Sequence, residues 1–265
     1  MSTRAKKPDL GDGLEDVTGE GGTPPAPQPQ PEVTLPDTKT KVSTDLKDRM
    51  VFIYGPEGIG KSTLASGFGD YLFFECEPGL VDLEVYRQPI GSWDDFRRTV
   101  AEAKKHPGRY QGFVIDTYDA LVIFCRAHVN ARLGIAHESD ADWGKGYDAF
   151  ATEMQLWLAR LWSLPGGMIV IAHSQEVEIK NRRESYNKVV PAVGKRARRI
   201  VTEMADLVLL LDMDDDTGTE RRIIRTKPSK YWDAKERGNP PRLPETIDWP
   251  LGAGFEVLRK AWDGK

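Results

Sequence analysis

The chain has 265 residues, of which 39% are hydrophobic and 29% are charged, enough for one sizeable α/β domain plus a tail. Its formal net charge of −4 argues against a generally basic coat for nucleic acid but leaves room for a local basic patch. The two cysteines, Cys76 and Cys125, lie in apolar surroundings, and no apolar run approaches membrane-spanning length, so we expect a cytoplasmic protein with reduced thiols and no membrane partner.

The first 44 residues differ in composition from the rest of the chain. They lack apolar periodicity and contain Gly21-Gly22, Pro24-Pro25 and the run Pro27-Gln28-Pro29-Gln30-Pro31. Such a segment cannot bury enough apolar surface to offset the entropy lost on ordering. We therefore predict a disordered tail over residues 1–44 and one folded domain over residues 45–265.

The strongest motif follows the apolar run 50–54, which is typical of a buried strand. The motif fits the phosphate-binding P-loop pattern and leads into a helix, and its glycines let backbone N–H groups curl around a phosphate chain. Lys61 is placed for the β- and γ-phosphates and the Ser62 hydroxyl for Mg²⁺. The motif predicts ATP with Mg²⁺ as the ligand. The predicted binding residues are Gly55, Pro56, Glu57, Gly58, Ile59, Gly60, Lys61, Ser62 and Thr63.

A second apolar run, residues 71–74, predicts another strand and leads into Glu75-Cys76-Glu77. An acid just past a strand end beside a P-loop can orient or deprotonate the attacking water. On an extended backbone Glu75 and Glu77 share one side, so the spacing alone does not choose between them. Two solvated loop acids would give the same pattern. A helix over 93–105, capped by Ser92, is predicted next.

The third predicted strand, residues 112–117, contains Asp116 at its carboxyl end. An aspartate at the end of a strand beside the P-loop strand holds Mg²⁺ through a water molecule or through Ser62. Asp116 is therefore the predicted metal acid, and Asp119 is the alternative. The pattern then predicts helices over 121–132 and 147–164, with an irregular segment over 133–146 between them.

The fourth predicted strand, residues 168–172, delivers His173-Ser174-Gln175 at its carboxyl end. A polar side chain at this position can sense whether the γ-phosphate is present and transmit that difference to the conformation of the following segment. A histidine that is hydrogen-bonded at a strand end for purely structural reasons gives the same pattern. The sequence leaves both interpretations open.

The segment after this strand, residues 176–199, is predicted to be a flexible basic loop. It contains eight basic residues against three acids, in a chain whose net charge is negative. Concentrated positive charge suits a nucleic-acid backbone, and Tyr186 could stack on a base. A solvated loop or a contact with a neighbouring subunit would carry the same charge. The predicted DNA contacts are Lys180, Arg182, Arg183, Lys188, Lys195 and Arg196.

The last third of the chain predicts a helix, a strand over 206–211 and an antiparallel hairpin partner over 221–226. Lys235 and Arg237 follow in a predicted loop, two residues apart. In an oligomeric NTPase such cations reach the γ-phosphate of the neighbouring subunit, although a solvated basic turn has the same composition. Residues 249–265 are predicted to be a final packed segment.

The order of these parts resembles a RecA core, and in particular the short phage-encoded RecA-like NTP-binding proteins that are implicated in single-strand annealing and recombination. The similarity spans about residues 48–248. The pieces that carry it are Gly55 to Ser62, Phe73-Phe74-Glu75-Cys76-Glu77, Phe113-Val114-Ile115-Asp116-Thr117, Ala172-His173-Ser174 and Ala234-Lys235-Glu236-Arg237.

The resemblance implies roles for several residues. RecA-like proteins end the second strand in an acidic motif whose last glutamate activates water, which falls on Glu77 rather than Glu75. Their γ-phosphate sensor falls at His173-Ser174, where RecA itself has a glutamine, and their DNA-binding loop corresponds to about residues 175–195. Their Lys-x-Lys pair, which contacts ATP across the subunit interface, corresponds to Lys235-x-Arg237.

The motifs and the resemblance together predict an α/β fold with a RecA-type core. We expect a mostly parallel sheet flanked by helices, with a C-terminal β-hairpin. The expected activity is slow, DNA-stimulated hydrolysis of ATP by a homo-oligomer, either a ring or a filament, with ATP at the subunit interface. The predicted catalytic residues are Lys61, Glu77, His173, Lys235 and Arg237.

Single-stranded DNA is the expected partner, and a single-strand-binding protein is a further candidate. The RecA family's additional DNA-binding domains have no counterpart in this sequence, so annealing is expected rather than strand exchange by this chain alone. Two other functions fit the same residues: a P-loop ATPase switch or motor that acts on protein partners without DNA, and a DNA-annealing module that is locked by ATP and does not hydrolyse it. A phage-encoded protein of this kind would act in the host cytoplasm.

Overall fold

The computed structural model describes residues 35–182, 184–214 and 221–264. Most of the predicted tail therefore lies outside the described residues, as do Arg183 and the turn of the C-terminal hairpin. Residues 35–44 contain no helix or strand. The Thr44 carbonyl accepts hydrogen bonds from Arg242 at 3.1 Å and from Trp262 at 2.8 Å, so the chain is held against the packed structure from this residue onward.

The described strands are β1 (Met50–Gly55), β2 (Tyr71–Glu75), β3 (Tyr86–Pro89), β4 (Gly112–Asp116), β5 (Gly167–Lys180), β6 (Ser185–Pro191), β7 (Leu207–Asp214), β8 (Arg221–Arg225), β9 (Lys235–Glu236) and β10 (Thr246–Asp248). They form one sheet whose main path runs in the order β10-β8-β7-β1-β5-β4-β2-β3. The six strands from β7 to β3 on this path run parallel, and β8 and β10 continue the sheet in the antiparallel sense.

The described α-helices are α1 (Lys61–Ser66), α2 (Trp93–Lys105), α3 (Tyr118–Leu133), α4 (Lys145–Ser163), α5 (Lys195–Met204) and α6 (Phe255–Trp262). Helices α2 to α5 pack on one face of the sheet, and α1 and α6 pack on the other. The predicted α/β class is confirmed, with its mostly parallel sheet, flanking helices and C-terminal hairpin of β7 and β8. Among the described helices, none has both the length and the apolar character that crossing a membrane requires.

The strand that leads to the P-loop is covered on both faces. Successive side chains of a strand point to opposite faces, so Phe52 and Tyr54 pack with α2 to α5, whereas Val51 and Ile53 pack with α1 and α6. Every residue of β1 is buried. The continuous apolar run is what a central parallel strand requires, and it holds the P-loop at the end of a rigid support.

The prediction of a flexible loop over 176–199 is wrong. β5 is 14 residues long, and its second half pairs with β6 as an antiparallel hairpin, from Ser174 opposite Pro191 to Lys180 opposite Ser185. The sequence signal was the alternation of Val177 and Ile179 with charged residues, which is typical of a half-buried strand. The prediction of a loop relied on the many basic residues of the segment and overlooked that alternation.

Three short strands were not predicted. β3 lies at the edge of the sheet and all four of its residues are exposed, so it has no apolar pattern to detect. β9 and β10 have two and three residues. The loop predicted around Lys235 is corrected, because Lys235 pairs with Val208 of β7.

Candidate nucleotide site

The P-loop joins β1 to α1 at the carboxyl edge of the parallel strands. Gly58 and Gly60 have φ values of 70° and 102°, in the left-handed region that favours glycine. A Cβ at Gly60 would lie 3.0 Å from the Trp249 ring, and a Cβ at Gly55 would lie 2.5 Å from the Leu211 carbonyl oxygen. The loop therefore needs glycine both for its backbone conformation and for its close contact with the chain behind it.

The Lys61 side chain is folded back into the loop. Its Nζ donates hydrogen bonds to the carbonyl oxygens of Gly55 at 3.1 Å and Pro56 at 2.8 Å. Burial lowers the pKa of Lys61, and the nearby carboxylates, Asp116 foremost, oppose that shift. The ammonium group is thus held inside the loop by two neutral oxygens, which a phosphate can replace with stronger, charge-assisted partners.

Ser62 and Asp116 meet at the start of α1. The Ser62 hydroxyl donates a 2.6 Å hydrogen bond to the Asp116 Oδ2 atom. Asp116 ends β4, and burial raises its pKa above the ordinary value, while Ser62 and Lys61 act in the opposite direction. A hydroxyl and a carboxylate oxygen are the hard ligands that Mg²⁺ takes in proteins, so these two residues fit the metal ion that the motif implies.

The two candidate acids after β2 have different neighbours. The Glu75 carboxylate lies 3.7 Å from the Arg87 guanidinium of β3. Glu77 instead lies with Asp119 and His173, and one ligand atom from each of the three lies within 4.8 Å of the other two. Such a set of imidazole and carboxylate donors could also coordinate a divalent cation. The choice of Glu77 as the base stays a prediction, but the geometry puts Glu77, and not Glu75, in this cluster.

Asp119 holds His173 at two points. Its Oδ2 atom lies 2.7 Å from His173 Nδ1, and its Oδ1 atom accepts a 3.2 Å hydrogen bond from the His173 backbone N–H. Because a carboxylate can only accept, Nδ1 carries the ring proton. His173 pairs with Gly55 across β5 and β1, next to the first residue of the P-loop. The sequence had offered Asp119 only as an alternative metal ligand.

Lys235 and Arg237 lie at the other edge of the sheet. Lys235 of β9 pairs with Val208, the second residue of β7. The first residue of β7, Leu207, pairs with Val51 near the start of β1. Lys235 Nζ donates to the Thr202 carbonyl at 2.7 Å and the Ala205 carbonyl at 2.8 Å. Arg237 donates to the Glu203 carbonyl at 2.6 Å. Both cations thus bind the carboxyl-terminal end of α5 in their own chain, away from its P-loop.

The predicted DNA contacts divide between paired and unpaired cations. Lys180 pairs with Glu178 at 2.8 Å, Lys188 pairs with Asp233 at 2.6 Å, and Arg196 pairs with Asp148. Arg182 and Lys195 form no ion pair with the residues that the structure describes. Their roles as DNA contacts stay predictions, as does that of Arg183, outside the described residues.

The sequence did not point to Arg222 and Trp249, which lie behind the P-loop. The Arg222 guanidinium lies 3.5 Å from the Gly58 carbonyl oxygen and stands over the Trp249 ring at 5.7 Å from its centroid. Trp249 is 2% exposed. Arg222 lies in β8 and Trp249 directly follows β10, so only the folding of the sheet brings them to the motif.

Comparison with known proteins gives a family and a set of similar folds. A family model described as an AAA domain matches residues 47–238. Among curated proteins, none matches the chain in sequence.

Two solved structures are among those similar to this chain. A KaiC-like protein from Pyrococcus horikoshii OT3 is 12% identical, with 78% of this chain and 87% of that chain covered and a TM-score of 0.43. The flagellar accessory protein FlaH from Methanocaldococcus jannaschii is 10% identical, with 79% and 88% covered and a TM-score of 0.44.

Proposed function

The chain belongs to the AAA-domain family, and on that premise we propose that it binds single-stranded DNA and supports the annealing or recombination of phage DNA. The activity that we propose is that of a RecA-like P-loop ATPase, which the P-loop and the contact between Ser62 and Asp116 support. One observation carries the proposal: a single strand, β5, leads from the nucleotide site into the hairpin whose exposed tip bears Lys180 and Arg182.

The strand β5 changes partner within one residue. His173 pairs with Gly55 in the central sheet, and the next residue, Ser174, already pairs with Pro191 of β6. The His173 carbonyl also accepts a 2.8 Å hydrogen bond from the Ala192 N–H. A γ-phosphate that draws His173 away from Asp119 would therefore move the base of the hairpin. ATP and DNA would then both act on the conformation of the same strand, β5.

The proposed reaction is in-line attack of water on the γ-phosphorus, which gives ADP and phosphate. Glu77 holds the water and accepts its proton. Lys61 exchanges its two carbonyl partners for the β- and γ-phosphate oxygens. Ser62 and Asp116 would hold Mg²⁺, which when bound neutralises charge on those oxygens.

The proposed oligomer completes the site with residues of a second copy. Lys235 and Arg237 lie at the amino edge of the sheet and the P-loop lies at the carboxyl edge, so these cations would act on the P-loop of a neighbouring chain. The neighbour's phosphates would compete with the carbonyl oxygens of α5 for the two cations. The phosphates and the carbonyl oxygens can bind the same cations, because the exposed carbonyls at a helix end carry partial negative charge.

The DNA part of the proposal is tested on the exposed tip of the hairpin. We would measure ATP turnover with and without single-stranded DNA for wild type, Lys61→Ala and Lys180→Ala/Arg182→Ala. The matched control is Arg98→Ala/Lys105→Ala, which removes two similarly exposed charges from α2. We expect DNA to raise the turnover of wild type and of the control, no turnover in Lys61→Ala, and loss of the stimulation in the hairpin variant.

The salt dependence of DNA binding gives a second readout. Removing two phosphate contacts lowers the slope of log affinity against log salt by about 1.4 for single strands. Turnover that DNA does not change, with no DNA binding at low salt, would overturn the DNA proposal in favour of a switch or motor that acts on proteins. DNA annealing that survives Glu77→Gln but not Lys61→Ala would favour the ATP-locked annealing module.

A further inference from the structure

Three side chains from separate parts of the chain converge beside the P-loop. Glu77 lies in the bend after β2, Asp119 in the first turn of α3 and His173 in β5. One ligand atom from each lies within 4.8 Å of the other two. Over the part of the chain that the structure describes, no other set of three histidine, cysteine, aspartate or glutamate side chains converges in this way. Asp116, which fits Mg²⁺ together with Ser62, is not a member of the set.

The distance between Asp119 and His173 is that of two ligands on one metal ion. Ligand atoms that each lie about 2.1 Å from a zinc ion are separated from each other by about 3 Å. The Asp119 Oδ2 and His173 Nδ1 atoms are 2.7 Å apart. Their side chains are 17% and 23% exposed. An ion can therefore reach this pair from solvent and take the place of the proton that lies between the two atoms.

The charges around Lys61 indicate that the site has room for a further cation. Burial lowers the pKa of Lys61, and four carboxylates oppose that shift, those of Asp116, Asp119, Glu57 and Glu77 in decreasing order. One ammonium group thus faces several carboxylates in a site whose expected ligand is itself an anion. A Mg²⁺ ion at Asp116 would offset that carboxylate, while Glu77 and Asp119 would keep their negative charge beside the phosphates.

We propose that Glu77, Asp119 and His173 form a second cation site, separate from the pair Ser62 and Asp116, which takes a divalent transition metal such as Zn²⁺ or Co²⁺. Mg²⁺ and Ca²⁺ take oxygen ligands, whereas imidazole suits zinc and its neighbours in the first transition row. Three protein ligands leave a further position for water. When the ion binds Nδ1, the ring proton lies on Nε2 and the imidazole stays neutral.

The ion would oppose the reaction proposed for ATP. A Glu77 carboxylate that is bound to a metal ion cannot accept a proton from the attacking water. The ion also fixes His173 against Asp119, whereas the γ-phosphate is proposed to draw His173 away. We therefore expect the metal to inhibit ATP turnover. This effect rests on the proposed function, but binding of the metal does not, because its three ligands are in place without ATP.

Metal binding is tested on the full chain without nucleotide. We would titrate the protein with Co²⁺ in excess Mg²⁺ and follow the visible absorption of the bound ion. The ligand variants are Glu77→Gln, Asp119→Asn and His173→Gln, and their melting temperatures without metal show which of them are folded. The matched control is His106→Gln, because His106 also lies beside a carboxylate, that of Glu102 at 3.1 Å, but on the exposed surface. We expect one Co²⁺ per chain in wild type and control, and an affinity at least about tenfold lower in every folded ligand variant.

Asp116→Asn distinguishes the two cation sites. This variant should bind Co²⁺ as tightly as wild type, because Asp116 belongs to the other site. Absence of Co²⁺ binding by wild type would overturn the proposal. So would an affinity that falls in Asp116→Asn but not in His173→Gln, or one that falls as much in His106→Gln as in the ligand variants.

Inhibition is measured separately, as ATP turnover in saturating Mg²⁺ with increasing Zn²⁺. We expect turnover of wild type and of His106→Gln to fall by about 100-fold when the site is filled, because the general base is lost. Unchanged turnover in a wild-type protein whose site is filled would refute the inhibitory role. A wild-type protein that binds Co²⁺ through the three residues but does not hydrolyse ATP would support the metal site while refuting the proposed hydrolysis.

Discussion

Burial of the Asp116 carboxylate costs folding free energy, and its proposed role as a ligand of Mg²⁺ accounts for that cost. It is 6% exposed, and burial raises its pKa above the ordinary value of an aspartate even though Ser62 and Lys61 oppose the shift. A raised pKa means that the ionised carboxylate is less favourable in the folded chain than in the unfolded chain. This destabilisation is present at neutral pH and disappears as the pH falls below the ordinary pKa of aspartate.

We predict that Asp116→Asn stabilises the nucleotide-free protein at neutral pH and removes its activity. The melting temperature should rise at pH 7.5, and the gain should vanish toward about pH 3, below the ordinary pKa of aspartate, where the group is largely protonated in both states. ATP turnover should fall by about 100-fold or more because the metal ion loses a charged ligand. Thermal unfolding at the two pH values and a turnover assay measure these effects.

Asp82→Asn serves as the control for the stability measurement. Asp82 is exposed in the turn between β2 and β3, so its charge costs little desolvation and its replacement should leave the melting temperature nearly unchanged. A lower melting temperature for Asp116→Asn at pH 7.5 would contradict the burial argument.

Glu77 and Glu75 provide a matched pair for the catalytic base. We predict that Glu77→Gln lowers kcat by about 100-fold or more with little change in the KM for ATP, because general-base catalysis contributes a factor of this order. Glu75→Gln should keep most of the wild-type kcat, because its carboxylate faces Arg87. Steady-state kinetics of the two variants tests the assignment, and an equal loss in both would refute it.

At the scale of an element, the charge pattern of the segment that contains the β5–β6 hairpin led to a wrong prediction of its secondary structure. Its cations suggested a flexible loop, but Val177 and Ile179 alternate with exposed residues along β5. A rigid strand transmits displacement along its length, whereas a loop would absorb it. Under the proposed function, the affinity for DNA should follow the position of His173 and not only the charge of the hairpin.

Lys235 of the distant strand β9 binds the carboxyl-terminal end of the helix α5. Lys235 Nζ donates to two carbonyl oxygens of the last helical turn and its continuation, those of Thr202 and Ala205. Burial lowers the pKa of Lys235, because its ammonium group is partly withdrawn from water. A cation at this end of a helix is favourable because it opposes the partial negative charge of the carbonyls.

We predict that Lys235→Met lowers the free energy of unfolding by about 1 kcal/mol. The control is Lys180→Met, because Lys180 pairs with Glu178 on the exposed surface, where an ion pair contributes about 0.5 kcal/mol. Urea unfolding followed by circular dichroism measures both. Equal stability of the two variants would mean that Lys235 does not support α5.

The sequence predicted those parts of the molecule that depend on local pattern. The strand before the P-loop, the acid that ends β4 and the polar end of the fourth strand each follow from a short motif. Asp119 and Arg222 did not follow, because their roles depend on contacts with His173 and Gly58, far away in the chain. Long-range pairing sets these contacts, and no local periodicity records it.

At the scale of the whole molecule, a shared site can be tested by mixing inactive chains. Lys61→Ala lacks a working P-loop and Arg237→Ala lacks one of the proposed trans cations. We predict that each is inactive alone and that an equal mixture recovers about a quarter of wild-type turnover, because one in four randomly formed head-to-tail interfaces has both halves intact. Turnover of the mixture is the measurement.

The two parents measured alone at the same total concentration are the control for this mixing experiment. A mixture that is no more active than its parents would show that each chain completes its own site. Full activity in Arg237→Ala alone would remove that residue from the reaction.

The sheet presents its P-loop at one edge and Lys235 and Arg237 at the opposite edge, so the molecule has a front and a back. Joining front to back places every copy in the same orientation, which a two-fold symmetric dimer cannot do. In an open array one terminal copy then keeps an incomplete site, whereas a closed ring leaves none. Turnover per chain should therefore increase with array length in a filament but reach its full value at once when a ring closes.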